Sequence, residues 1–161
     1  MEPPLPTAAI LSDWLRRSGR LPSGAVEHVH IDLTHKTEIS KLIFLVATYT
    51  PDAPSDRPRH LVVKSPLVQP SVYSESEFYR EVAPRFASPP VATCHAVVED
   101  GILVLQGLRA THDHPPWPIP PSKEQSEVAI DVLAQVHAAY WETATIGQPH
   151  TVQSLTSMVQ G

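Results

Sequence analysis

Apolar and polar positions change period several times along this chain, and each change marks an element. From Thr7 to Arg17, Ile10, Leu11, Trp14 and Leu15 recur at helical spacing, Thr7 is a capping residue and Gly19 follows a basic last turn, which predicts a short amphipathic helix. Ala25 to Leu33 alternates: Ala25, Val29, Ile31 and Leu33 are expected on one face and His28, His30 and Asp32 on the other, as in a half-buried strand. Thr34 to Ser40 is mostly polar and reads as a turn. Lys41 to Thr50 is rich in β-formers and predicts a second strand antiparallel to the first. After the Pro51–Pro58 loop, His60 to Ser65 is a third strand.

The period returns to helical at Ser71 to Val82, where Val72, Glu75, Phe78, Tyr79 and Val82 share a face, and Pro84 and the Pro89-Pro90 pair end the run. Val91 to Val98 and Ile102 to Leu105 are strands on either side of Asp100-Gly101. That dipeptide signals a two-residue hairpin because both turn positions want positive φ. Gly107 to Pro121 is a proline-rich connection. Ser122 with Gln125 forms a capping box for a helix to about Glu142, with Val128, Val132, Leu133, Val136 and Tyr140 on one side. A further short helix is expected near Val152 to Val159. The order of elements is an α+β pattern: a five-stranded antiparallel sheet with one helix inserted between strands three and four.

Composition narrows the function classes. A formal net charge of -5 and a pI near 5.9, with no Lys/Arg cluster, disfavour a nucleic-acid partner. The lone Cys94 allows no intrachain disulfide and fits a reducing, cytoplasmic setting. No apolar run is long enough to span a bilayer, and the N-terminus lacks the basic and apolar regions of a secretory signal, so no membrane partner is expected. The 18 prolines fall mainly in clusters that separate elements.

Lys64 ends the apolar strand Leu61-Val62-Val63-Lys64, where Val62 and Lys64 share a face. An ammonium there needs a partner, and Glu75 projects from the sheet-facing side of the next helix. Glu77 or Glu81 takes that place if the helix phase differs, and a purely structural ion pair is the plainer alternative. His28 with His30, and His112-Asp113-His114, have the residue types of metal ligands, but a solvated face and a polar loop are the simpler readings. His137 and Trp141 read as packing residues, and Cys94 as a small strand residue.

Five motifs in order resemble the small-molecule kinases of the aminoglycoside-phosphotransferase and choline-kinase-like type. They are Val62-Val63-Lys64; Glu75-Ser76-Glu77-Phe78-Tyr79 with Ala83-Pro84; Pro89-Pro90 with Cys94-His95-Ala96; Leu103-Val104-Leu105-Gln106-Gly107-Leu108; and Leu133-Ala134-Gln135-Val136-His137-Ala138-Ala139-Tyr140-Trp141. The resemblance implies a protein-kinase-like N-terminal lobe over residues 1–106, a hinge and linker over 107–121, and over 122–161 the first helical segment of an incomplete second lobe. It implies ATP, with Mg²⁺ in a complete relative, and phosphoryl transfer to a hydroxyl of a small acceptor. Carried over, Lys64 grips phosphate, Glu75 orients it, Val62 lies over adenine, and Leu105, Gln106 and Gly107 offer hinge backbone groups.

Three features depart from that family, one being Gln106-Gly107 at the hinge, where the family prefers Glu-Asp. The turn Thr34 to Ser40 holds no glycine, which makes close backbone approach to phosphates harder. The family's His-Gly-Asp loop, its Asn and its later metal-binding Asp have no counterpart in this stretch, so no catalytic residue is assigned and the chain is expected to be inactive alone. The alternative is a non-catalytic nucleotide- or protein-binding module. An apolar patch on the helix 122–142, carrying Val132, Val136 and Tyr140, is expected to self-associate or meet a protein partner.

Overall fold

The computed structural model describes residues 5–68, 72–86, 91–112 and 120–140. The chain divides into two compact units, Met1–His114 and Pro115–Gly161, and the division falls inside the proline-rich segment 107–121. The first unit carries α1 (Ala8–Arg17), β1 (Val26–Lys36), β2 (Ser40–Tyr49), β3 (His60–Pro66), α2 (Val72–Glu77), β4 (Cys94–Val97) and β5 (Leu103–Gln106). The second carries α3 (Lys123–Tyr140). The α+β class and the five-stranded antiparallel sheet are as expected, and the strands lie in the order β1-β2-β3-β5-β4.

Alternation along the strands gives the sheet two unlike faces. Ile43, Leu45, Leu61, Val63 and Val104 point to one side and pack under Leu11 and Leu15 of α1, every one of them 2% exposed or less. Helix α1 is capped as its sequence predicts, with Thr7 Oγ1 accepting from the Ile10 N–H at 3.3 Å. Buried Ser12 accepts from the Val26 N–H at 2.8 Å, which fastens the helix to the start of β1. The opposite face carries Leu42, Phe44, Val62, Leu103, Leu105, Cys94 and Val97, with Tyr79 packed on it.

Three strand readings change in the structure. β1 runs on to Lys36, so the turn shrinks to residues 37–39. Its register shifts between Val26 and His28 and again between Ile31 and Leu33. Val29 and Ile31 therefore pack on the α1 side, whereas Leu33 pairs with Phe44 and is 43% exposed on the other. A bulge inserts one residue and reverses the alternation beyond it, so Leu33 departs from the face its sequence period assigns. The strand expected over Val91 to Val98 is shorter, Cys94–Val97, and within it Cys94 pairs with Leu105 and Ala96 with Val104, which leaves His95 as the extra residue of another bulge.

The Asp100-Gly101 turn is as expected, with φ of 58° at Asp100 and 74° at Gly101. The inserted helical run reaches Val82 as predicted but is α-helical only as far as Glu77. α2 ends at Glu77 and continues as a π turn over Phe78–Val82, followed by a 3₁₀ turn over Ala83–Arg85. Ser71, at its expected start, and the Pro89-Pro90 pair lie outside the described residues.

In the second unit the capping box forms in both directions. Gln125 N–H donates to Ser122 Oγ at 3.2 Å, and Ser122 N–H donates to Gln125 Oε1 at 2.8 Å. Exposure does not follow the expected stripe. Val128, Ile130 and Leu133 are more than half exposed, whereas Val132 and Val136 are half-buried and His137 is exposed. The Tyr140 side chain, Trp141, Glu142 and the helix expected near Val152 lie outside the described residues. No helix among the described residues is long and apolar enough to cross a membrane.

Candidate functional site

The sheet face opposite α1 gathers most of the residues singled out from the sequence. Pairing places Phe44, Val62, Leu105 and Cys94 in one row across four strands, and Leu42, Lys64, Leu103 and Val97 in the next. Lys64 therefore ends an apolar strip. Its Nζ lies 2.6 Å from Glu75 Oε2 of α2, with the two side chains 28% and 40% exposed. Of the three candidate glutamates, Glu75 is the partner; Glu77 and Glu81 are exposed. The pair is partly solvated, which softens the cost of parting its charges.

Tyr79 closes one side of this strip. Its ring packs on the apolar cluster and meets Phe78 edge-on, with centroids 5.3 Å apart and planes at 82°. Burial pushes the Tyr79 hydroxyl up to about 12, and the Cys94 and Glu75 charges add to the shift. Burial likewise pushes the Cys94 thiol up to about 11, so it stays protonated at neutral pH, and its Sγ donates to the Ala96 carbonyl.

The segment expected to act as a hinge is already tied into the fold. Leu105 sits within β5. The Gln106 N–H donates to the Thr93 carbonyl and the Gly107 N–H donates to the His60 carbonyl, each at 2.8 Å. Gly107 is needed for this approach, because a Cβ there would stand 2.9 Å from the carbonyl carbon of His60. Both amides are spent on holding strands, so a base on this face would rest mainly on apolar contacts. Val62 and Leu105 supply those contacts, although they retain just 7% and 9% exposure.

The turn between β1 and β2 is closed on itself. Thr37 Oγ1 accepts from the Ser40 N–H at 2.9 Å and the Ile39 N–H at 3.3 Å, and the Thr37 N–H donates to the Ser40 carbonyl at 2.8 Å. These amides are occupied within the turn rather than aimed outward, which is the structural counterpart of its missing glycine.

Sequence reasoning missed two further features. The Arg109 guanidinium lies over the Phe44 ring, with Cζ 5.3 Å from its centroid, beside a cleft that Asp32, His60 and Gly107 also line. His95, the bulge residue, has both ring nitrogens buried without a hydrogen-bond partner. Burial pushes its pKa down to about 4, with the Arg20 guanidinium contributing in the same direction. A positive residue after a hinge-like Gly is a signal for the first; nothing in the local sequence marks the second.

His28 and His30 are exposed on one face, and His30 Nε2 lies 3.5 Å from Asp32 Oδ1. His112 Nδ1 is 2.8 Å from Thr111 Oγ1, and Asp113 and His114 lie outside the described residues. Among the described residues no group of three His, Cys, Asp or Glu side chains could hold a metal ion. Comparison with protein-family models, with curated proteins and with solved structures finds no match.

Proposed function

We propose that the sheet face opposite α1 is the nucleotide site of an ATP-dependent small-molecule kinase lobe of the aminoglycoside-phosphotransferase type. The observation that carries this reading is the 2.6 Å contact between Lys64 and Glu75, at the end of the apolar strip containing Val62 and Leu105. Lys64 supplies a charged donor to α- and β-phosphate oxygens, Glu75 fixes its rotamer, and the strip accepts the base. The donor set fits phosphate anions. A Mg²⁺ ion would enter on the nucleotide's own phosphates and supply charge neutralisation there.

ATP with Mg²⁺ is expected to raise the thermal midpoint of the full chain, and Lys64→Met to remove that rise while leaving the unliganded midpoint nearly unchanged. No shift at saturating nucleotide, or an equal shift in Lys64→Met, overturns the proposal.

The self-closed turn at Thr37–Ser40 favours a second reading, a binding module without phosphoryl transfer. In that reading Lys64 makes the phosphate contact without loop amides, and ADP stabilises the chain as well as ATP does. Transfer of the γ-phosphoryl to any hydroxylated acceptor, lost in Lys64→Ala, excludes it.

A further inference from the structure

The strip under the proposed nucleotide site does not end at Val62. Phe44 is the direct cross-strand partner of Val62 and packs against Val62, Leu103 and Leu105, so its ring extends the same surface by one strand. Neighbouring strands are about 4.8 Å apart. A flat bicyclic ring resting on Val62 is wider than that spacing and reaches the face of Phe44.

That face is taken. Gly107 binds the start of β3 through its N–H to the His60 carbonyl, and its close approach tolerates no Cβ. The chain leaving β5 is thereby pinned where, two residues on, Arg109 lies over Phe44. A guanidinium is planar and stacks on aromatic faces much as a base does. Arg109 is exposed to solvent, so it can leave without baring a buried charge, whereas Val62 and Leu105 are already 7% and 9% exposed. Arg109 is the movable part of the surface around this strip.

We infer that Arg109 is a built-in competitor for the base: its guanidinium occupies the Phe44 face, and an aromatic ring binds by displacing it. The inference rests on the nucleotide reading above. It makes Arg109 and Phe44 determinants of base affinity, acting separately from the phosphate grip at Lys64.

The test uses calorimetric titration of the full chain with adenosine, which carries no phosphate, and with ATP and Mg²⁺. An exposed cation–π contact is a weak barrier, so Arg109→Ala is expected to tighten both ligands about two- to fivefold. Arg109→Lys, which keeps the charge but lacks the planar face, should tighten them less. In a Phe44→Leu background, Arg109→Ala should bring no gain, because no ring remains to be uncovered. Unchanged or weaker binding in both Arg109 variants, while the wild type binds and Lys64→Met does not, overturns the competitor and leaves the nucleotide site standing. Absence of binding to wild type and to both Arg109 variants overturns both. Should Arg109→Ala fail to fold, Arg109→Lys and the Phe44→Leu cycle decide the question alone.

Discussion

The two faces of the sheet are built from the same strands yet have opposite characters. Under α1 the side chains are aliphatic and dry: Leu11, Leu15, Leu61, Val63 and Val104 are at 0–1% exposure. Across the sheet, one residue along each strand, the aliphatic row is broken by an ion pair, an aromatic ring under a guanidinium, and the half-buried phenol of Tyr79. The first face is what a core needs, close apolar contact with its few buried polar groups, Ser12 and Tyr49, hydrogen-bonded. The second places charges at the rim of apolar surface, a composition that fits the proposed ligand site better than a core. Folding energy should therefore concentrate on one face and binding on the other.

The largest expected effect tests the first half of that contrast. Leu61→Ala empties a fully buried site beneath α1 and is expected to cost about 2–5 kcal/mol, measured by urea unfolding. Leu105→Ala, on the other face, is expected to cost less, because the partly buried Phe44, Tyr79 and Cys94 around its cluster can close the gap. Equal losses from the two would remove the distinction between a core face and a site face.

The next effect is a pH dependence centred on the edge strand. The folded chain holds His95 neutral, with a pKa near 4 against an ordinary 6.5. Between those values the unfolded chain binds the proton and the folded chain does not. Stability is therefore complete above about pH 6.5, falls as the pH drops, and this contribution levels off below about pH 4. His95→Phe should flatten the slope across that window in a series of thermal midpoints. A slope that persists unchanged in His95→Phe assigns it to other groups.

How far the sequence foretells this architecture depends on whether a feature is local. The Thr7 cap, the Ser122–Gln125 box and the Asp100-Gly101 turn were legible because each is settled by residues a few positions apart. The Lys64–Glu75 contact was legible because strand and helix periods both point those side chains at one face. The bulges of β1 and β4 were not, since a bulge is a mismatch between two strands and leaves no mark on the period of either until the pairing is known. Leu33 is the clearest cost of that blindness. The π turn after Glu77 and the Arg109–Phe44 stack are likewise products of packing: the first changes the helix type within a run whose period reads as one α-helix, and the second joins residues remote in sequence.

The smallest stability change is the one that separates structure from function most sharply. Lys64 and Glu75 are partly solvated, at 28% and 40% exposure, so their attraction is screened and their side chains surrender rotamer freedom to hold it. Glu75→Gln and Lys64→Met are each expected to shift unfolding by about 1 kcal/mol or less, with a coupling of similar size in the double-mutant cycle. A loss of about 3–5 kcal/mol, the size that follows removal of one partner from a buried pair, would instead mark the contact as a structural strut. The same two variants should weaken nucleotide binding unequally. Lys64→Met removes the cation that meets the phosphates, whereas Glu75→Gln keeps it and loosens its orientation. A large stability loss with no effect on binding would make the pair part of the fold alone and leave the apolar strip without its phosphate end.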